Sequence, residues 1–353
     1  VVVAGAAHVD QVPHLILDSG ADVNFIDVAS SAVRLTVEAD VDVDFGVATS
    51  TTGGNFVVTA DFEGNNAGDI DLATSANLTA VGGTMTLSGV LIDPNAAITL
   101  TAAGDLTLSG PVDTLGGKLS LVSTNAGTAS LQGITGNTNA IDITNFNDVA
   151  INAAIANAGV VKITAPSGRD ILTSGTGGLI LTQAEMGNIA TTDLQLVTAG
   201  TGDITISSGV DIRTSNVTAL TLDSTNDITF SNALLAKTLT AVADNDMTIS
   251  ANLTTNTGSI TLGVAAAGGQ NESISIANGV TIDSGDNLVF QNGAAAELIA
   301  LNSAGAATFR AVDDITFGTN TTLTATAGNT TIDADTDNAG SGVVTLDAIT
   351  ATD

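Results

Sequence analysis

The sequence has no cysteine, no tryptophan and no tyrosine, only 4 prolines, 2 histidines and 7 lysines and arginines. Without cysteine there are no disulfides and no thiolate chemistry, and a zinc site would rest on His8 and His14. Those two stand near the start with no third ligand in view, so both read as ordinary surface residues. The seven cations (Arg34, Lys118, Lys162, Arg169, Arg213, Lys237 and Arg310) are scattered singly against 37 acidic residues, for a formal net charge of -30. A nucleic-acid partner is excluded on charge, because phosphate repulsion dominates. Attraction to an anionic membrane surface falls with it. No apolar run nears the ~20 residues of a membrane span, so no membrane insertion is expected. The start at Val1-Val2-Val3, with no Met and no leader, predicts a processed product or a stretch of a longer chain.

What remains is 44% hydrophobic, almost all Val, Ile, Leu and Ala, set among Thr, Asn, Asp, Gly and Ser. β-branched residues interrupted by Gly, Asn and Asp are the material of short strands and tight turns. Helical spacing is scarce, since Gly or Asn breaks almost every window. The recurring unit is a triplet of apolar, polar, apolar: Met85-Thr86-Leu87, Ile98-Thr99-Leu100, Leu106-Thr107-Leu108, Leu119-Ser120-Leu121, and later Ile204-Thr205-Ile206, Ile228-Thr229-Phe230, Met247-Thr248-Ile249 and Ile260-Thr261-Leu262. Period-two alternation sends both apolar side chains to one face and the polar one to the other.

The spacing is decisive. Met85 to Leu106 and Ile98 to Leu119 are each 21 residues, and the two triplets of one unit lie 13 apart. Leu106 to Ala129 is 23, Ala129 to Val149 is 20, Ile204 to Ile228 is 24 and Ile228 to Met247 is 19. Periods in this range signal solenoids, in which one coil cannot bury its own apolar face but a stack of coils can. The gaps between triplets are too short for crossover helices. The fold class predicted is all-β, a right-handed parallel β-helix or β-solenoid, with right-handed winding as the default for parallel connections. A leader often precedes the triplet: Gly68-Asp69, Gly104-Asp105, Asn147-Asp148, Gly202-Asp203, Asn226-Asp227, Asn245-Asp246 and Asp313-Asp314. These read as corners, with Gly and Asn supplying left-handed backbone angles and Asp bonding the next backbone N–H.

Residues 1–65 look different. Val33 to Phe45 alternates for thirteen residues and Phe56 to Phe62 alternates again after a Thr/Gly loop. This predicts an irregular β-rich N-terminal region, residues 1–65, holding a hairpin that acts as a cap or interaction module. The solenoid repeat domain then runs over residues 66–353.

The stretches Ile98-Thr-Leu-Thr-Ala-Ala-Gly-Asp-Leu-Thr-Leu-Ser-Gly, Gly116-Gly-Lys-Leu-Ser-Leu and Gly202-Asp-Ile-Thr-Ile resemble the repeats of filamentous-haemagglutinin-type adhesins, across roughly residues 66–350. That resemblance implies a right-handed parallel β-helix exported to the bacterial surface as a fibrous adhesin or scaffold. The Asn-Pro-Asn signature of the family's secretion domain is not matched; Asp93-Pro94-Asn95 comes nearest, at another place in the chain.

Three groups of residues bear on chemistry. Asp333-Ala-Asp335-Thr-Asp337-Asn338-Ala-Gly340 opens like a calcium loop, with Asp333, Asp335 and Asp337 as metal ligands, but Val344 stands where such a loop carries its bidentate Glu. A solvated, Asp-rich corner is the plainer reading. Glu38, Asp40, Asp42 and Asp44 alternate, which predicts four carboxylates on one strand face. An exposed face that resists edge pairing is preferred there to a calcium-bridged contact. The mixed clusters are Arg169-Asp170 and Arg310 with Asp313-Asp314. Sugar-cleaving sites lean on Trp or Tyr faces, which this chain lacks, so no catalytic residue and no enzyme activity is expected. Asn77, Asn216, Asn252, Asn271, Asn320 and Asn329 stand in Asn-x-Ser/Thr sequons, which a chain rich in Asn and Thr produces by chance.

The function expected from the sequence is a secreted structural protein of the cell surface that assembles with copies of itself into a filament, sheath or surface layer. Calcium is the one cofactor considered. The alternatives are the shaft of a large adhesin, with a host or neighbouring cell surface as partner, and a polysaccharide-acting β-helix enzyme.

Overall fold

Each apolar–polar–apolar triplet forms a short strand whose two apolar side chains are buried while the polar one stays half-exposed, as in Leu106–Leu108 and Ile228–Phe230, or exposed, as at Thr248. In the computed structural model these strands stack in parallel, coil upon coil, as a parallel β-solenoid. The structure describes residues 1–3, 13–25, 29–30, 33–74, 76–265, 272–292, 299–318, 321–325, 328–337, 342–346 and 348–349. It forms two compact units, residues 1–166 with 188–191, and residues 167–187 with 192–353.

In the first unit a coil has three strands, for example Met85–Ser88, Leu91–Pro94 and Ile98–Ala102. Each lies on its counterpart in the next coil: Met85 on Leu106, Ile92 on Val112 and Ile98 on Leu119. The first strands of successive coils build a seven-stranded sheet. The middle strand is the shortest, only Val112–Asp113 and Ile134–Thr135 in two coils. In the second unit the same three-strand coil recurs, as Ile228–Phe230, Leu234–Ala236 and Leu239–Ala243 stacked on Met247–Ile249, Leu253–Thr255 and Ile260–Val264.

The hairpin expected before residue 65 is not formed. Leu35–Ala39 pairs in parallel with Leu15–Ser19 on one side and Phe56–Thr59 on the other. Val43–Phe45 pairs in parallel with Val23–Phe25 and with Asp69–Leu72, so the ladder crosses residue 65 without a break. The long alternation from Val33 is two strands, Leu35–Ala39 and Val43–Phe45, joined by a corner over residues 40–42. The corner residues alternate too, and alternation alone cannot distinguish a turn between two short strands from one long strand. Leu35 on Phe56 repeats the 21-residue step found later in the chain.

Inside the coils lies a narrow core of Val, Ile and Leu with phenylalanines at intervals. Phe25, Phe45 and Phe56 in the first unit and Phe290 and Phe309 in the second are fully buried. Phe25 and Phe45 stack at 4.6 Å, and Phe290 and Phe317 at 5.1 Å. Burying each such side chain contributes roughly 1.5–3 kcal/mol.

The corners work differently from the expectation. None of Gly68, Gly104, Gly202, Asn147, Asn226 or Asn245 has a left-handed backbone. At Gly68 the constraint is proximity: a Cβ there would lie 2.1 Å from the backbone N of Asp61. At Gly202 it would lie 2.3 Å from the carbonyl oxygen of Arg169. Glycine lets one coil's corner settle onto the last.

The second unit interrupts its repeat once. Leu179–Ile180 pairs with Ile171–Leu172, only eight residues back, and a short helix follows over Gln183–Gly187. Thr182 and Glu185 close its start as a capping box, the Glu185 carboxylate accepting from the backbone N–H (2.9 Å) and hydroxyl (2.8 Å) of Thr182.

Candidate functional site

Outward-facing aspartates occupy two kinds of place in these coils, and the two differ in what faces them. The corner aspartates come first. Asp203 N–H donates to Asp170 Oδ1 at 3.0 Å, Asp227 N–H to Asp203 Oδ1 at 3.2 Å, and Asp246 N–H to Asp227 Oδ1 at 3.0 Å. Ser273 N–H and Oγ then both donate to Asp246 Oδ1, at 2.8 and 2.9 Å. Asn226 and Asn245 add side-chain donors to Asp203 (2.6 Å) and Asp227 (2.7 Å). Asp170, Asp203, Asp227 and Asp246 therefore each bond the backbone of the next coil, 19 to 33 residues on. The first unit repeats the device with Asp42 accepting from Asp69 N–H (3.0 Å) and Asp105 from Thr128 N–H (2.8 Å). An amide oxygen serves at Asn55 and Asn77, which accept from Thr84 N–H (3.1 Å) and Thr99 N–H (2.8 Å).

The strand-face aspartates form the second group. On the middle strands of the first unit, Asn24 lies on Asp44, Asp44 on Asp71 and Asp71 on Asp93. Ile92 on Val112 sets Asp93 beside Asp113, and Asp113 lies on Thr135. Four carboxylates thus stack at the coil spacing of about 4.8 Å. Burial raises the Asp71 carboxyl, its hydrogen bond with Asp44 and the charges of Asp44, Asp93 and Asp42 add to that, and together they push its pKa up to about 6. Of the two, Asp71 is the one that their hydrogen bond pushes toward its protonated form, and Asp44 the one it favours as acceptor. Asp44 is itself raised, by burial and by the charges of Asp42 and Asp22 against that hydrogen bond. Asp93 is raised by burial and then by Asp113 and Asp69. Oδ1 of Asp93 is buried without a hydrogen-bond partner among the described residues, while Asn137 donates to Asp113.

Neither arrangement is the one the sequence suggested. Glu38 lies on Leu35–Ala39 and Asp44 on Val43–Phe45, strands of two different sheets, with Asp40 and Asp42 in the corner between them. The four carboxylates do not share a strand face, because the chain turns between them. The signal that finds the real ladder is an Asp beside a buried aliphatic at the coil period: Val43-Asp44, Ile70-Asp71, Ile92-Asp93 and Val112-Asp113.

Of the calcium-loop residues, Asp333 ends a strand and lies on Arg310, whose Nε is 3.7 Å from its carboxylate. Arg310 also reaches Asp283 at 3.5 Å. Asp335 has φ 65° and donates its backbone N–H to the carbonyl of Asp313 at 3.3 Å. Asp337 acts on Asp313, whose carboxyl is raised chiefly by its hydrogen bond with Asp286. Asn338 and Gly340 lie outside the described residues, as do His8, Asn271 and Asn320. Among the described residues no three His, Cys, Asp or Glu converge as metal ligands. His14 meets the Thr36 hydroxyl at 2.8 Å. Arg169 donates to the carbonyl of Gly178 at 3.0 Å. A shallow groove on the second unit is lined by Thr248, Ser250, Ser275 and Asn302, with no titratable side chain along it.

Stacked three-strand coils, Asp- and Asn-clamped corners and one carboxylate-lined face define a parallel β-solenoid repeat protein. No protein-family model, no curated protein and no solved structure matches the chain, so the fold stands on its own strand pairing.

Proposed function

We propose that this chain is a secreted structural protein of the cell surface, which assembles with copies of itself into a filament, sheath or surface layer. The observation that carries the reading is the stacking itself. Each coil offers the next a row of backbone donors and acceptors at the same positions, and nothing in that pairing is particular to one chain. A coil of a second copy meets the same ladder. The surplus of 30 negative charges keeps such coils apart in dilute, low-salt solution, and salt or calcium relieves that repulsion. Asp333, Asp335 and Asp337 are the residues the sequence offers for calcium, although they do not converge and Asp333 already faces Arg310. No helix among the described residues is long and apolar enough to cross a membrane.

Negative-stain microscopy of the purified chain at high concentration tests this, in millimolar calcium and in chelator. Filaments or sheets in calcium are expected. Particles that stay monomeric in both conditions overturn the reading. A chain that stays monomeric yet binds cells would support the adhesin-shaft alternative.

A further inference from the structure

The strand-face ladder of the first unit has no part in the assembly reading, and its geometry asks for a proton. Asp44, Asp71 and Asp93 sit in register on three consecutive coils, with Asp113 on a fourth. Among the described residues every charge acting on Asp71 is another carboxylate: Asp44 from the strand on one side, Asp93 from the strand on the other, and Asp42 from the corner. Asp22 adds to the charge on Asp44, and Asp69 and Asp113 to that on Asp93. Two stacked carboxylates can bond only if one of them is protonated. Ionised, they repel across the 4.8 Å coil step, and half-burial weakens the solvent screening.

We propose that Asp44, Asp71 and Asp93 form a proton-operated clamp that binds neighbouring coils of the first unit together in mild acid and loosens them when it ionises, with Asp113 as a further charge against Asp93. The sign follows from the raised groups. Asp71 goes from an ordinary 3.8 to about 6 on folding, so the folded state takes up the proton more readily than the unfolded one. The stabilisation is fully present below about 3.8 and is lost as pH rises through about 6. Asp44 and Asp93 shift in the same direction and add to the effect. An acidic surface protein is commonly expected to weaken in acid as its carboxylates lose their partners; this unit is expected to tighten first.

The test is thermal unfolding of the full chain in chelator, from pH 4.5 to 8, comparing wild type with Asp71→Asn and Asp18→Asn. Asp18 is an exposed strand residue of the same unit that lies on Glu38, so its variant controls for the loss of one charge from a stacked pair that solvent screens. The wild-type melting temperature is expected to fall between pH 5 and 7.5. Asp71→Asn should flatten that fall and melt higher than wild type at pH 7.5, by roughly 2–4 °C, while Asp18→Asn keeps the wild-type profile. If Asp71→Asn fails to fold, Asp93→Asn should show the same sign with a smaller shift. A wild-type slope retained in Asp71→Asn, or a lower melting temperature across the range, overturns the clamp. So does a rise on adding millimolar calcium at pH 7.5 that wild type shows and Asp71→Asn lacks, because a cation would then occupy the place assigned to the proton.

Discussion

The first unit carries a stack of aspartates in the middle of a strand face, and the second carries the longest run of corner aspartates among the described residues. The side chains are the same and the coil spacing is the same, yet their partners are opposite. In the corners, Asp170, Asp203, Asp227 and Asp246 each receive a backbone N–H from the coil that follows. On the face, Asp44, Asp71 and Asp93 have backbone groups already committed to the ladder, and the neighbouring side chain is another carboxylate. A carboxylate is an asset where the turning backbone leaves an N–H without a ladder partner, and a liability where the ladder is complete. Position in the coil, more than residue type, decides which.

The largest effect should come from beneath both surfaces. Phe45 and Phe290 are fully buried and each stacks on a second phenylalanine. Truncating either to alanine is expected to cost about 3–5 kcal/mol. If the two units differ only in how their carboxylates are partnered, Phe45→Ala and Phe290→Ala should cost about the same by denaturant unfolding. A gap of several kcal/mol would place the difference in the core.

Next comes the corner itself. Asp203→Ala leaves Asp227 N–H and the Asn226 amide without their acceptor, for a loss of about 1–3 kcal/mol. Asp203→Asn keeps an acceptor oxygen and should cost much less, as Asn55 and Asn77 already do this work in the first unit. The contrast is sharpest in sign: at pH 7.5 Asp→Asn is expected to stabilise at position 71 and to be neutral or mildly harmful at 203. Finding the same sign at both would dissolve the distinction between face and corner.

Much of this was legible in the sequence, and the part that was not has a physical cause. Register could be read because the triplets repeat at a coil's length: Met85 on Leu106, Ile98 on Leu119, Ala129 on Val149 and Ile228 on Met247 are all paired as their spacing predicts. The middle strand was harder, since Val112–Asp113 is too short to show a triplet. The turn at residues 40–42 was missed because Asp40 and Asp42 continue the alternation of the strands on either side. That one miss hid the face ladder, because it tied Asp44 to Asp42 and Asp40 along the chain instead of to Asp71 across the coils. The corner leaders were visible as a pattern, but their role lies about twenty residues away, where a local turn rule does not look.

The smallest effect belongs to a third way of stacking carboxylates, with a cation between them. Asp283, Arg310 and Asp333 are in register on three coils of the second unit, and Arg310 reaches both acids at 3.5 and 3.7 Å. Arg310 is 41% exposed, so water and salt screen the pairs and their worth is under about 1 kcal/mol. Replacing Arg310 with Met keeps much of the aliphatic stem and removes the charge. The two acids it leaves are two coil steps apart, about 10 Å, which is near the screening length at physiological salt. Arg310→Met should therefore lower the melting temperature by no more than a few degrees in low salt, and the difference from wild type should vanish in 1 M NaCl. A loss that persists in high salt would mean that Arg310 holds its neighbours by packing its stem, and the cation would not be what separates this stack from the one on the first unit's face.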